Sequence, residues 1–232
     1  FFILNHLNRN LVRLNRFAKI EGELLDRWTV EDDFKKYILH VAPNSRFSDG
    51  SPITGVDVLE SIQRQMRLNT ANHFNFGGIK EIKLIDQDTL QVVLKHRNPL
   101  FIRHLTYPEF GVLHKSQRES KVGTATYTVT SGPYTLESLR IGRAQLIKNP
   151  YFPFSVHTPP NKITFQSGDP ATLIDRLKKS AVDISMMLST GTKSDFQQIE
   201  SSPNLSIFRP HMGYTFWVSI NPLSKNLRSL PL

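Results

Sequence analysis

Histidines are the first residues to question, because spaced imidazoles hold metal ions and a lone imidazole moves protons near neutral pH. His73, His96, His104, His114, His157 and His211 lie far apart, and no HxH or HExxH spacing occurs. Surface and capping roles therefore outweigh metal ligation. Ser131 in "TSGPY" lacks the G-x-S-x-G frame of a nucleophile elbow, and Pro133 turns the chain where such an elbow would start a helix. The carboxylate pairs Asp32-Asp33 and Asp86/Asp88 fall at turns, where Asp is favoured for its local hydrogen bonds. "FGG" at 76–78 is too short to cradle a phosphate. With no cysteine in the chain, thiolate nucleophiles, thiolate metal sites and disulfides are excluded. These residues predict no enzyme, no cofactor and no metal.

What remains is recognition chemistry. "NTANHFNF" places Asn69, Asn72, His73, Phe74 and Phe76 in a stretch with neither helical nor strand periodicity. It reads equally as a loop that meets a small polar ligand and as a loop packed on itself. The formal charge of +9 raises the question of nucleic acid, but the cations are scattered (Arg9, Arg13, Arg16, Lys35, Lys36, Arg64, Arg67, Lys178, Lys179). No run of five like charges occurs, so a basic solvated surface is the better reading and no nucleic-acid partner is expected.

The elements that must position these residues are legible from turn chemistry and periodicity. "LVRLNRFAKI" (11–20) reads as an extended segment with a turn. Leu24, Leu25 and Trp28 have the spacing of one helical turn, and "FKKYILHVA" (34–42) that of a strand. In "SRFSDGSPITGVDVLESIQRQ" (45–65), Asp49-Gly50 marks a turn and Thr54 with Asp57 forms a capping box. Val56, Leu59, Ile62, Gln63 and Met66 then carry a helix to about Leu68. Ile79, Ile82 and Leu84, then Leu90, Val92 and Leu94, flank Asp86-Gln87-Asp88 as a β-hairpin. Asn98-Pro99 opens a short helix. "YTVTSGPYTLESL" reads as strand, Gly-Pro turn, strand, and "RAQLIKNPYF" as a strand stopped by Asn149-Pro150. "ITFQ" is a strand, and Asp169 caps a helix with Pro170 at its first position and Leu173, Ile174 and Leu177 on its apolar side. "SPNLSIFRP" and "YTFWVSIN" are late strands. The class is α/β, mixed α+β.

A hydrophobic content of 39% and a charged content of 21% are those of a globular chain with a substantial core, and no apolar run approaches a membrane span. The chain opens on "FFILNHLNRN" without Met or a basic leader and closes on "NLRSLPL". It is expected to be part of a longer protein whose localisation signal lies elsewhere.

The order of these signals carries a resemblance. "FSDGSPITGVDVLESIQR" resembles the F-S-D-G-x-P-hydrophobic-T-A-x-D-V signature of the extracellular solute-binding proteins of family 5, the dipeptide, oligopeptide and nickel receptors of ABC importers. "NLVRLN", "GELLDRWTVEDDFKKYILHVA", "IDQDTLQVVLKHRNPLFIRHL", "TSGPYTL", "IKNPYF" and "LIDRLKKSAVDI" resemble further family segments in the family's order. Three departures stand out. Thr130 and Ser131 replace Gly and Thr of a G-T-G-P-Y turn, so its backbone is expected to take another path. Ala181 stands where the family ends a helix with Gly, and Arg9 falls where the family often has Glu beside its cleft.

The resemblance implies a periplasmic-binding-protein-like lobe of class II type. Its core would comprise 1–41 and 126–232, with an inserted α+β subdomain over 42–125 and a second lobe outside this sequence. It implies a monomeric receptor that closes two lobes on a small solute, an oligopeptide being expected. The partners would be importer permease subunits, and the location periplasmic or membrane-anchored outside the cytoplasm. Ligand contacts are expected from Arg9 and Asn10, from Asn72, His73 and Phe74, from Ser131, Gly132 and Tyr134, and from Tyr214 and Trp217 on a crossover strand. Arg9 would pair with a ligand carboxylate and the 131–134 turn would offer backbone donors, while core packing competes as the role of Tyr134 and Trp217. The alternative is a ligand-sensing domain of a cytoplasmic transcription regulator, favoured by the positive charge and the imperfect G-T-G-P-Y match.

Overall fold

The structure is a computed structural model, and it describes residues 3–15, 17–31, 33–68, 78–118, 127–153, 159–169, 172–184, 192–203 and 205. Two compact units divide the chain, 1–167 and 168–232.

The first unit opens with a helical turn, α1 (Leu4–Leu7), and a short antiparallel ribbon of β1 (Val12–Leu14) and β2 (Ile20–Gly22). Next come β3 (Leu25–Val30), β4 (Lys36–Val41), the helix α2 (Gly55–Arg67), β5 (Ile79–Asp86) and β6 (Thr89–Leu94). The four strands form one antiparallel sheet in the order β3-β4-β6-β5. Alternation sets its register: Leu39 lies opposite Leu90, and Leu90 opposite Leu84, so one face collects the apolar residues. On that face Tyr37, Leu39, Leu90 and Val92 pack with Val58 and Ile62 of α2. The helix turns Val58, Leu59, Ile62 and Met66 inward, whereas Val56, expected on the same stripe, is exposed.

The local punctuation is as expected. Gly50 has φ 85°, which lets the 47–51 turn close with Gly50 N donating to Phe47 O at 3.0 Å. Asp57 Oδ2 accepts from Thr54 N at 3.0 Å and from Thr54 Oγ1 at 3.1 Å, the expected capping box. Asp57 Oδ1 also meets Arg118 Nη1 at 2.9 Å, so one carboxylate both starts α2 and anchors α4 (Lys115–Arg118). The hairpin turn is locked from outside: Gln87 O accepts from Gly55 N and Asp88 O from Val41 N. Between the hairpin and α4 run the helical turn α3 (Phe101–His104) and a 3-10 turn (Pro108–Phe110).

A second sheet, β7 (Tyr134–Arg140), β8 (Arg143–Lys148) and β9 (Lys162–Gln166), is an antiparallel meander. Leu146, fully buried, packs there with Leu7 and Tyr134.

Several expectations are corrected. The Leu24–Trp28 segment is not a helical turn. Leu25 opens β3, Trp28 pairs with Leu39, and a bulge between Leu25 and Arg27 shifts the alternation. Two adjacent buried leucines thus mimic helical spacing, and a ladder to β4 that local pattern cannot see decides the outcome. Residues 127–130 form no strand, because Thr130 turns its hydroxyl to Tyr134 O (2.7 Å) and bonds its backbone to Ser48. The boundary expected at 41/42 runs through the four-stranded sheet: β3 and β4 precede it, β5 and β6 follow it. The two compact units divide at 167/168.

The described part of the second unit holds α5 (Leu173–Lys178) and α6 (Lys193–Glu200); the latter was not foreseen. The α5 helix starts after Thr172 rather than on Asp169, whose carbonyl accepts from Thr172 N and Oγ1. It ends with Ser180 at φ 52° and Ala181 N donating to Arg176 O, a Schellman closure with serine in the position glycine usually takes. The late strands expected in "SPNLSIFRP" and "YTFWVSIN" lie outside the described residues, apart from Ser202, Pro203 and Leu205.

Two stability outcomes follow from these contacts. Asp57→Ala removes the cap and one of the two carboxylate partners of Arg118, Glu60 being the other, and should cost roughly 1–3 kcal/mol in urea unfolding. Gly132→Ala puts a Cβ within 2.6–2.8 Å of the Leu7 and Asn8 backbone and should cost about 1–3 kcal/mol. A change under about 0.5 kcal/mol in either variant would show that the respective contact is not holding the fold together.

Candidate functional site

The segment leaving α1 carries the site. Arg9 forms an isolated antiparallel bridge with Val112, whose N–H donates to Arg9 O at 3.0 Å. Across it lies the Ser131 hydroxyl, which accepts from Arg9 N at 2.9 Å and donates to Val112 O. One residue on, Gly132 N donates to Leu7 O at 2.9 Å, and Gly132 O accepts from Asn149 Nδ2 at 2.8 Å. The "TSGPY" turn thus clamps the chain on both sides of Arg9.

The guanidinium is clamped as well. Nη1 donates to Ser45 Oγ at 3.2 Å, and Nη2 donates to the carbonyl oxygen of Glu23. The Phe152 ring lies 5.5 Å from the guanidinium carbon, within cation–π range. Arg9 is only 8% exposed, and its Nε has no partner among the described residues. Neighbouring Asn8 and Asn10 each bury a side-chain oxygen in the same condition, an accumulation that buried polar groups normally avoid.

Arg9 and Phe152 face a cleft of about 480 Å³ lined also by His6, Arg13, Glu23 and Tyr134, with Pro133, Pro153, Pro159 and Ile163 among its apolar walls. That volume is within the range of small-molecule sites, and the mix of apolar wall with few convergent polar groups is their usual composition. The His6 ring packs edge-on to Phe165 at 5.3 Å, and the Tyr134 hydroxyl donates to Pro160 O at 3.0 Å. Arg13 reaches Glu21 at 3.4 Å across the β1–β2 ribbon.

The electrostatics centre on Glu23. Burial pushes its carboxyl up to about 7, against the pull of Arg9 and Arg13, which favour the charged form. Burial likewise lowers the Arg9 pKa, opposed by the Glu23 charge and reinforced by Arg13. An arginine so shifted remains a cation. The cleft therefore holds a permanent positive charge beside a carboxyl that titrates near neutrality.

Of the expected ligand contacts, Arg9 and Tyr134 line the cleft. Ser131, Gly132 and Asn10 do not. Ser131 is fully buried with its hydroxyl engaged, the Gly132 N–H is used on Leu7, and Asn10 Nδ2 donates to Thr106 O. The Gly132 N–H, expected as a donor to a ligand, donates to Leu7 O in this structure. Asn72, His73, Phe74, Tyr214 and Trp217 lie outside the described residues. His6, Arg13, Glu23 and Phe152 were not foreseen. Only Phe152 carried a signal, as an aromatic just after the Asn149-Pro150 stop. Among the described residues no group of histidine and acidic side chains could hold a metal ion, and no helix is long and apolar enough to cross a membrane.

Comparison with known proteins agrees with this architecture. Residues 19–229 match the family described as bacterial extracellular solute-binding proteins, family 5 Middle. The periplasmic oligopeptide-binding protein OppA of Salmonella typhimurium is 26% identical over 208 residues, covering 78% of this chain and 38% of that protein. The probable D,D-dipeptide-binding periplasmic protein DdpA of Escherichia coli is 25% identical over 141 residues, 58% of this chain and 27% of the relative. A crystal structure of an oligopeptide ABC transporter substrate-binding domain from Bacillus anthracis shares the fold with a TM-score of 0.76 at 21% identity, covering 87% of this chain and 42% of that one. This chain thus spans well under half the length of each of these proteins. With a family match over nearly its whole length, the chain belongs to the bacterial extracellular solute-binding proteins of family 5.

Proposed function

We propose that this chain is a ligand-binding part of the solute receptor of an ABC importer, holding a peptide-like solute without transforming it. The observation that carries the reading is Arg9: a nearly buried cation, fixed through Ser45, Ser131 and the Glu23 carbonyl, at the wall of a cleft that combines apolar side chains with His6, Arg13 and Glu23. A guanidinium held this way is suited to a carboxylate, because the geometry is set before the ligand arrives and little side-chain entropy is lost on binding. Tyr134 and Phe152 supply wall; the expected contacts from Asn72, His73, Phe74, Tyr214 and Trp217 belong to the same reading.

In this reading the protein works outside the cytoplasm, as a monomer, closing a second lobe over the solute and delivering it to membrane permease subunits. No catalytic step and no nucleic-acid partner is involved. The relatives named above are described as periplasmic binding proteins, which supports an extracytoplasmic place and gives the cytoplasmic regulator alternative no support.

One lobe covers only part of a solute, so the chain alone should bind weakly. Titrated with trialanine and followed by NMR, it is expected to show a dissociation constant at least ten-fold weaker in Arg9→Ala, about 1.4 kcal/mol or more, with Arg9→Lys in between. Trialanine amide, which lacks the terminal carboxylate, should bind the wild type as poorly as trialanine binds Arg9→Ala. Equal affinity for acid and amide would remove Arg9 from the ligand site.

A further inference from the structure

We propose that Glu23 is a built-in competitor for the anion site of Arg9, so that carboxylate capture by this cleft is coupled to uptake of a proton on Glu23. The inference rests on the reading of Arg9 as a carboxylate anchor and goes beyond it by making the anchor's strength conditional.

The geometry comes from two constraints. Glu23 follows β2, and its own carbonyl oxygen holds the Arg9 Nη2, so the residue is tied by its backbone to the guanidinium it faces. Both residues line the same cleft, yet the carboxylate makes no ion pair with Arg9 within 4.0 Å; the bond between the two residues goes through the backbone. A ligand anion entering the cleft thus meets a cation that is fixed but not neutralised by a bidentate partner, with a carboxyl standing beside it.

Two negative charges beside one guanidinium repel, and in a half-buried site that repulsion is poorly screened. The system relieves it by protonating Glu23. Its carboxyl already titrates near 7 because burial outweighs the pull of Arg9 and Arg13, so the protonation needed lies within the neutral range. The charged and titratable groups on this cleft are few: His6 on α1, Arg9 after it, Arg13 on β1, Glu23 after β2 and Tyr134 on β7. Arg13 is additionally paired with Glu21. His6 brings an imidazole to the same cleft, and the experiment must separate it from Glu23.

The sign follows from linkage. If the anion is accepted only when Glu23 is neutral, affinity is full below pH 7 and falls as pH rises through it, by about ten-fold between pH 6 and pH 8. Trialanine binding to the chain is measured at both pH values in wild type, Glu23→Gln and His6→Gln. The expected result is a ratio of at least three-fold in wild type and in His6→Gln. Glu23→Gln, which has no proton to exchange, should keep the tight value at pH 8. Calorimetry of the wild type in two buffers of different ionisation heat supplies a measurement independent of any substitution: trialanine should take up a substantial fraction of a proton at pH 7.

A wild-type ratio below three-fold, no proton uptake, or a pH dependence lost in His6→Gln and retained in Glu23→Gln would each overturn the proposal. Those outcomes leave the carboxylate anchor standing if the amide still binds poorly. Equal binding of acid and amide at both pH values removes the anchor itself, and with it the coupling.

Discussion

The close approach of two backbones, Gly132 against Leu7 and Asn8, is the constraint on which the rest of the structure depends. There is no room for even one methyl group between them. The approach lets the Gly132 N–H reach Leu7 O and brings the neighbouring Ser131 hydroxyl between Arg9 N and Val112 O. Thr130, Ser131 and Asn149 are all fully buried at this crossing, and each has its polar side chain satisfied by backbone. Such a network is stable only when complete, since one missing partner leaves a buried polar group with its full desolvation penalty. Segments distant in sequence (7–9, 48, 112, 130–134 and 149) are thereby held in one place, and a short, otherwise weak helix such as α1 acquires a fixed exit direction.

Arg9 inherits its position from that crossing. Left to itself an arginine explores many rotamers, and ordering it for a ligand would consume much of the binding energy. Here Ser45, the Glu23 carbonyl and the Phe152 face hold the head group in advance. The opposing cost is desolvation, visible in both partners: burial weakens the hold of Arg9 on its proton and strengthens that of Glu23. Mutual attraction offsets only part of this, as the raised Glu23 value shows. Because the folded state holds the Glu23 proton more tightly than the unfolded chain, its stabilising contribution is full below about 4.5 and declines as pH rises through about 7. The site is thus least strained when the carboxyl is neutral and the guanidinium is the only charge of the pair.

What the sequence makes legible here is what is settled within a few residues. Asp49-Gly50, the Thr54/Asp57 box and the turn at Asp86–Asp88 are decided by side chains bonding their own neighbourhood, and each is found where the residues place it. The Leu24–Trp28 strand is not legible locally because its outcome depends on partners in β4, more than ten residues away, and on a bulge that breaks the alternation. The site divides the same way. Arg9 was singled out through the family resemblance, and Tyr134 through its turn. His6, Arg13 and Glu23 are ordinary surface residue types in sequence, and they become a site only when the β1–β2 ribbon folds against the chain leaving α1.

The departures from the family pattern make sense in the same terms. The turn at 130–131 carries Thr and Ser where the resemblance leads one to expect Gly and Thr, and a β-carbon at 130 could have been a steric fault. Instead Thr130 is fully buried, its hydroxyl satisfies Tyr134 O, and its backbone exchanges bonds with Ser48 of the 47–51 turn. The added side chain thus closes its own turn, while the backbone at 130 joins that turn to the 47–51 turn. Tyr151, two residues after Asn149, reinforces the junction, its ring standing 3.1 Å from where a Cβ on Gly50 would be. The "FSDG", "TSGPY" and "NPY" segments are therefore one contiguous knot that fixes the frame around Arg9. The knot holds Arg9 by its backbone N–H and carbonyl, and the guanidinium stands outside those bonds, at the cleft. Position 9 can therefore change its head group without disturbing the backbone bonds that hold it.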